Sequence, residues 1–253
     1  MMNSEFCRKP RLLWLCVSFV QLLAISGAHA EENASNPLAA VNNVDLRMQW
    51  ISSQPGDTID TFVDGAHMLT PQLKLKYQLH YDHTNVTGST EHHFDTLNLK
   101  PIYFPSKGKL GDEWQYGTAI GLEAIFDLGD QSKGIGPGAH QLAPLVGVAF
   151  SHPSSGWTLV PLIQHFQSVG EGTHISKTTF NPLAIKPFGD VNWLKIDAKF
   201  PYDWINDTWP ISVEFQVGRN LSKSTAVYVE GLVGVGDDRP YDAGLGFGLR
   251  FNY

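Results

Sequence analysis

Cysteine is absent from almost the whole chain: of 253 residues, only Cys7 and Cys16 carry a thiol. Everything downstream therefore lacks a disulfide framework and any thiolate metal site. Long apolar runs are missing as well. Past residue 30 no stretch approaches the roughly 18 consecutive apolar residues of a membrane helix. Basic residues are in deficit, with 18 Lys and Arg against 25 Asp and Glu and a formal net charge of −7, which argues against nucleic-acid binding. No phosphate-cradling glycine loop, His-Glu-x-x-His or nucleophile elbow is present. No residue set calls for a cofactor.

What the chain does contain begins with an export signal. Arg8, Lys9 and Arg11 precede an apolar run from Leu12 to Ile25, and Ala28-His29-Ala30 fits a small-x-small cleavage site before Glu31. The run is too short and wrongly flanked for a stable membrane helix. Leu15, before Cys16, is not the small residue a lipid anchor requires. Removal of 1–30 leaves 223 residues, 31–253, as one domain with no thiol, which suits the oxidising periplasm. The signal carries three of the basic residues and one acidic residue, so the remainder has fifteen against twenty-four and a net charge of −9.

The remaining signal is alternation. In the last eleven residues Leu245, Phe247, Leu249, Phe251 and Tyr253 occupy one face of a strand, and Gly244, Gly246, Gly248, Arg250 and Asn252 the other. That is about the 9–11 residues a tilted strand needs to cross a bilayer. A half-buried strand of a soluble sheet gives the same pattern once, but here it recurs. Val44, Leu46, Met48 and Trp50 alternate with Asp45, Arg47 and Gln49. Leu73, Leu75, Tyr77, Leu79 and Tyr81 alternate with Lys74, Lys76, Gln78 and His80. Similar faces follow from Trp114 to Phe126, Leu142 to Phe150, Trp157 to Ser168, Thr178 to Pro187, Leu194 to Phe200, Ile211 to Val217 and Val227 to Val235. Alternation is weaker over Thr178–Pro187. The small inward residues of the 114–126 strand, such as Ala119 and Gly121, are expected to let a wall curve without filling the interior. Glu31 to Ala40 reads as a flexible polar lead-in.

Without a membrane helix, the remaining way to span a bilayer is a closed barrel, in which every backbone group pairs. The predicted fold is an all-β, closed, antiparallel up-and-down transmembrane β-barrel of 10–12 strands. Twelve requires a short strand hidden within 54–66, where Pro55-Gly56-Asp57 and Asp64-Gly65 signal turns. Connections 83–92, 128–140, 169–177, 203–209 and 236–242 fall on one side. Connections 104–112, 151–156, 188–191 and 219–224, mostly shorter, fall on the other. Long outer loops and short periplasmic turns are the rule for outer-membrane barrels, so the bacterial outer membrane is the expected location.

The wet faces supply the candidate lumen residues. Lys195, Asp197 and Lys199 share one face, with Glu214 on the next strand; Glu230 and Arg250 extend the set, and Lys74, Lys76, Lys100 and Glu123 lie elsewhere on inward faces. They either pair across the lumen or line a hydrated path. Asp237, Asp238 and Arg239 are expected to pair at the mouth, where loops 128–140 and 236–242 shape the opening. His80, His83, His92 and His93 flank one outer loop without the fixed spacing on one face that a metal site requires. Barrel lipid hydrolases place a His and a Ser on one strand face; His165 and Ser168, three apart, face opposite sides.

Three stretches go beyond generic patterning: Gly134-Ile135-Gly136-Pro137-Gly138-Ala139-His140-Gln141-Leu142-Ala143-Pro144, Phe200-Pro201-Tyr202-Asp203-Trp204, and Gly234-Val235-Gly236-Asp237-Asp238-Arg239-Pro240-Tyr241-Asp242. With Asn36-Pro37-Leu38, their order and spacing resemble the transporter-like outer-membrane proteins of the meta-pathway phenol-degradation family. The resemblance covers most of the chain after residue 30. It implies passive uptake or binding of small, hydrophobic or aromatic solutes and supplies no catalytic residues. The rival expectations are an outer-membrane lipid-modifying hydrolase, a non-conducting structural barrel and a soluble periplasmic sandwich. The expected partners are outer-membrane lipid, a small-molecule solute, and the barrel-assembly machinery, which would read the strand leading to Tyr253.

Overall fold

The computed structural model describes residues 34–253; the expected export signal over 1–30 lies outside the described residues. Thirteen strands follow in order: β1 (Asn43–Ser52), β2 (Asp57–Thr70), β3 (Leu73–Thr84), β4 (Glu91–Tyr103), β5 (Lys107–Leu110), β6 (Trp114–Asp127), β7 (His140–His152), β8 (Trp157–Val169), β9 (Ser176–Phe188), β10 (Asn192–Asp203), β11 (Ile211–Asn220), β12 (Thr225–Val235) and β13 (Ala243–Asn252). One 3-10 turn, Gln131–Lys133, interrupts the loop between β6 and β7.

Apart from β4 and β5, consecutive strands pair antiparallel, and β1 pairs with β13 from Asn43↔Asn252 to Ser52↔Ala243. The sheet is therefore closed. β4 and the four-residue β5 both pair with β6 and occupy one position in the wall, so the barrel has twelve wall strands, the upper end of the expected range. The end that carries the N-terminal segment and Tyr253 has connections 71–72, 104–113, 153–156, 189–191 and 221–224; the other has 53–56, 85–90, 128–139, 170–175, 204–210 and 236–242. By the loop rule the first end is periplasmic and the second is the outer rim.

The alternation translates directly into inside and outside. On β13, Leu245 is 51% exposed and Phe251 42%, while Arg250 between them is 6% exposed. On β1, Met48 is 52% exposed and Asp45 1%. The apolar face points away from the barrel axis, as hydrocarbon requires, and the polar face is enclosed.

Four expectations need correction. The strand hidden near 54–66 is real but fourteen residues long, β2. Its alternation is blurred because Phe62 and Ala66 point inward while Thr61 and His67 point out. The 104–112 turn contains β5, which pairs with Trp114–Gly117.

The interior beside the small inward residues of β6 is not left unfilled, since Ala119 is 0% exposed and packed in one cluster with Leu38. Gly218 and Gly248 lie opposite Trp193 and Tyr228. A Cβ at either glycine would come within 2.0 Å of the facing ring. The missing side chains let two large aromatics lie against the wall, each 2% exposed.

Finally, the lead-in is not a free tail over its described part. Residues 34–40 enter the lumen, with Leu38 8% and Ala39 0% exposed. Asn36-Pro37-Leu38-Ala39 forms a turn: the Ala39 N–H donates to the Asn36 carbonyl at 3.0 Å and the Leu38 N–H to Asn36 Oδ1 at 2.9 Å. Asn at the first turn position and Pro at the second favour this geometry.

Candidate functional site in the barrel lumen

The lumen is built by the wet faces of twelve strands, so its chemistry is set by cross-strand register. Strand β1 brings Asp45, Arg47 and Gln49 inward, flanked by β13 and β2. The Asp45 carboxylate accepts from Arg250 Nη2 at 2.6 Å, Arg250 Nε at 2.8 Å, the Tyr228 hydroxyl at 2.7 Å and Asn43 Nδ2 at 2.8 Å. One register step further, Glu230 accepts from Arg47 Nη2 at 2.7 Å, Gln49 Nε2 at 2.8 Å and Gln216 Nε2 at 2.8 Å. Gln216 Oε1 in turn accepts from Trp193 Nε1 at 3.2 Å and the Ser35 hydroxyl at 2.9 Å. Arg47 also lies 3.5 Å from Asp64. The result is a continuous polar belt across β2, β1, β13, β12, β11 and β10. Enclosed charges of both signs are tolerated because each has a bonded partner.

A second group of pairs lies beside this belt. Lys195 Nζ is 3.3 Å from Asp197, whose other oxygen accepts from Asn181 at 2.6 Å. Lys199 bonds Glu214 across β10 and β11. Lys100 pairs with Glu123 at 2.8 Å, and Gln164 donates to the same carboxylate at 2.6 Å. The expected set Lys195, Asp197, Lys199 and Glu214 is thus brought together as two adjacent pairs. Glu230 and Arg250 are inward too, but on a different wall, where their partners are Arg47 and Asp45. Those partners were not singled out by the sequence reading, although the alternation of β1 had already put Asp45, Arg47 and Gln49 on its polar face.

The N-terminal segment docks onto this framework. Lys74 Nζ donates to the carbonyls of Pro37 at 2.6 Å and Ala39 at 2.7 Å. Arg250 Nη1 donates to the Ser35 hydroxyl at 2.9 Å. Leu38 packs into an apolar patch made by Ile102, Ala119, Val160, Leu183 and Ile185. This patch explains the weak alternation of β9: Leu183 and Ile185 are apolar inward residues, while Phe180 is apolar and outward. An apolar inward run on a barrel strand is the signal that could have revealed the docking site.

Cavities lie at both ends of the lumen. One, of about 650 Å³, opens at the periplasmic end among Asn36, Asn42, Trp193, Asn220 and Arg250. The other, of about 500 Å³, lies towards the outer rim among Arg47, His80, Asp95, Phe166 and Lys177. They share no lining residue. Ser35, Leu38, Gln216 and Glu230 line neither and form the packed layer between them.

At the outer rim, loop 128–139 is tied to loop 170–175 by Gln131 Nε2 donating to Thr173 Oγ1 at 2.8 Å and the Thr173 N–H donating to the Gly138 carbonyl at 2.9 Å. Gly138 has φ +76°, a left-handed conformation that glycine adopts without strain. Asp130 caps the 3-10 turn, and the Ser132 hydroxyl, 2.6 Å away, holds its carboxyl below the usual carboxylate range. The mouth residues do not pair among themselves as expected. Arg239 bonds Asp242 at 2.6 Å, Asp238 accepts from the Trp209 N–H at 3.1 Å, and Asp237 is exposed. Asp238 thereby ties loop 236–242 to loop 204–210.

The remaining candidates do not converge. His80 Nδ1 is 2.9 Å from Asp60, and its ring stacks on Phe62 at 4.4 Å. His83 and His92 stack on each other across β3 and β4 at 6.4 Å. Among the described residues no group of three His, Cys, Asp or Glu is placed to hold a metal ion. His165 Nδ1 lies 2.9 Å from the Thr178 hydroxyl, whereas the Ser168 hydroxyl accepts from the Ile175 N–H at 3.0 Å. They lie on opposite faces of β8.

By sequence, no protein-family model and no curated protein matches the chain. By structure, it is similar to the NanC porin, with TM-score 0.59, 10% identity and coverage of 83% of this chain and 98% of that one. It is also similar to an outer-membrane channel from Pseudomonas putida F1, with TM-score 0.61, 8% identity and coverage of 89% and 100%. Outer-membrane phospholipase A from Escherichia coli matches with TM-score 0.52, 13% identity and coverage of 87% and 95%. At these identities the likeness is one of fold: the chain has the fold of outer-membrane β-barrels.

Proposed function

We propose that the chain is an outer-membrane channel for passive uptake of small solutes, closed in this conformation by its own residues 34–40. The carrying observation is the pair of cavities, one at each end of a charged lumen, with the docked segment and its belt between them. Nothing covalent holds the segment: Leu38 sits in one apolar patch and a few hydrogen bonds to Lys74, Arg250 and Gln216 hold the rest. Burial of a leucine is worth about 1.5–3 kcal/mol and each hydrogen bond to a charged group about 1.5–3 kcal/mol, so removal of any one contact loosens the segment. Lys195, Asp197, Lys199, Glu214, Glu230 and Arg250 act as the polar lining of the path, and Asp237, Asp238 and Arg239 shape its mouth. Two of the barrels that share the fold, a porin and an outer-membrane channel, support this reading. The resemblance to the meta-pathway phenol-degradation family widens the solute range to small aromatic molecules, for which Phe166 offers a ring in the outer cavity.

The phospholipase that also shares the fold raises the alternative of an outer-membrane hydrolase. The opposite orientations of His165 and Ser168 argue against it. We read the chain as a non-enzyme in contact with outer-membrane lipid, exported by the signal over 1–30, and assembled through the aromatic outer face of β13.

Liposome swelling and planar-bilayer recording test the channel. Native protein should conduct little. Deletion of 34–40, Leu38→Asp or Lys74→Met should each raise permeability to small solutes severalfold. A deletion variant that folds into a heat-modifiable barrel yet stays silent would sink the reading.

A further inference from the structure

The outer cavity is lined by charges of both signs, Lys177 and Asp95, that form no ion pair within 4 Å among the described residues. On one wall, Lys177 of β9 faces the cavity with its ammonium 5.1 Å from the centre of the Phe166 ring. Among the described residues it has no hydrogen bond and no ion pair within 4 Å. Its cross-strand neighbour Asp203 acts on it only through space, beyond 4 Å, while accepting from the Ile205 N–H at 2.9 Å and from the Asn206 side chain at 2.9 Å. The nearby Lys199 is neutralised by Glu214. On the other wall, Asp95 of β4 lines the same cavity. Its carboxylate accepts from the neighbouring Thr96 hydroxyl at 3.2 Å and from the Gly136 backbone N–H, and among the described residues no Lys, Arg or His pairs with it within 4 Å. Beside it, Asp60 Oδ2 bonds His80, while Asp60 Oδ1 and Oδ1 of its cross-strand neighbour Asp82 are both buried without a donor, so the acidic wall is short of cations.

Strands β4 and β9 are not neighbours in the barrel, and no ion pair joins Lys177 to Asp95. The space between them, about 500 Å³, falls in the range of small-molecule sites. Two enclosed opposite charges that the protein does not join are each stabilised by a molecule that brings the complementary charge to both.

We propose that the outer cavity is a binding site for small zwitterions. The ligand's carboxylate bonds Lys177, its ammonium bonds Asp95 and the free oxygen of Asp60, and its carbon body lies against Phe166. This inference names the solute class for the lumen described above and rests on that reading, but binding and passage are separately measurable.

The test is isothermal titration calorimetry on the full barrel in detergent, with three probes of matched length: 5-aminovalerate, valerate and pentylammonium. The zwitterion should bind at least tenfold more tightly than either singly charged probe. Lys177→Gln should weaken 5-aminovalerate and valerate about tenfold and leave pentylammonium unchanged. Asp95→Asn should weaken 5-aminovalerate and pentylammonium and leave valerate unchanged. Each variant is first checked for heat-modifiable migration as a folded barrel. Equal binding of the three probes to the native protein, preference for a singly charged probe, or no binding at all overturns the proposal without any variant. Zwitterion binding combined with silent liposomes, including those with 34–40 deleted, keeps the site and discards the channel. Swelling without zwitterion preference keeps the channel and discards the site.

Discussion

Asp45 is 1% exposed and accepts hydrogen bonds from Arg250, Tyr228 and Asn43. Its charge is affordable only while those donors remain. Arg250→Met leaves the carboxylate enclosed without its cation, and removal of one partner from a buried pair costs about 3–5 kcal/mol. Replacing both members with apolar residues of similar volume is often neutral. Urea titration of heat-modifiable migration should therefore show a large loss for Arg250→Met, an equal one for Asp45→Leu, and a much smaller one for the double variant. Additive losses would mean that the two charges act independently. At this scale the sequence was half legible. The alternation put Arg250, Glu230 and Lys195 on the wet face, and each is there. It could not supply partners, because pairing depends on register: Arg250 sits opposite Asp45 only because β1 closes onto β13. Lys177 escaped notice for a related reason. The sequence places it in the connection 169–177, whereas β9 begins at Ser176, and its lack of an ion pair is visible only in three dimensions.

The element that changes the functional reading is the segment 34–40. As sequence it is short, Ala34-Ser35-Asn36-Pro37-Leu38-Ala39-Ala40, and without strand alternation; Asn36-Pro37-Leu38 stood out only as part of the family resemblance. Its docking surface was written elsewhere, in the inward Val160, Leu183 and Ile185 of β8 and β9, which make those strands look poorly patterned. A wall strand that is apolar on both faces contradicts a hydrated lumen unless something apolar fills it, and Leu38 does. The same logic predicts a selective effect. Ile185→Ser removes apolar area from the patch without touching the lipid face. It should release the segment and raise liposome permeability towards that of the 34–40 deletion, while urea stability of the barrel falls by less than with Arg250→Met. Unchanged permeability in the Ile185→Ser barrel would show that the polar bonds of Ser35, Pro37 and Ala39 hold the segment alone. β2 was the opposite case, an element whose outward Thr61 and His67 and inward Phe62 hid a strand of full length.

For the whole molecule, the decisive property is the inversion of inside and outside relative to a soluble sheet. Met48, Phe247 and Leu245 are among the more exposed large side chains, yet they sit on the two strands that close the barrel. In water such a seam would be a patch for aggregation; in hydrocarbon it is the lowest-energy surface available. This was the most legible level, because closure follows from period-two alternation, from the absence of a membrane helix and from the need to pair every backbone group. It also gives the most direct physical test. Met48, near the middle of β1, faces outward beside Phe247. A charge placed there on the lipid face should cost about 2–4 kcal/mol at the bilayer midplane. Gln49, one residue on, faces the lumen and bonds Glu230. Met48→Arg should therefore lower barrel stability in lipid vesicles by that amount, whereas Gln49→Arg, which places the same charge beside a carboxylate, should lower it much less. If the two substitutions were equally costly, the outer surface would not be in contact with lipid, and the channel reading would lose its membrane.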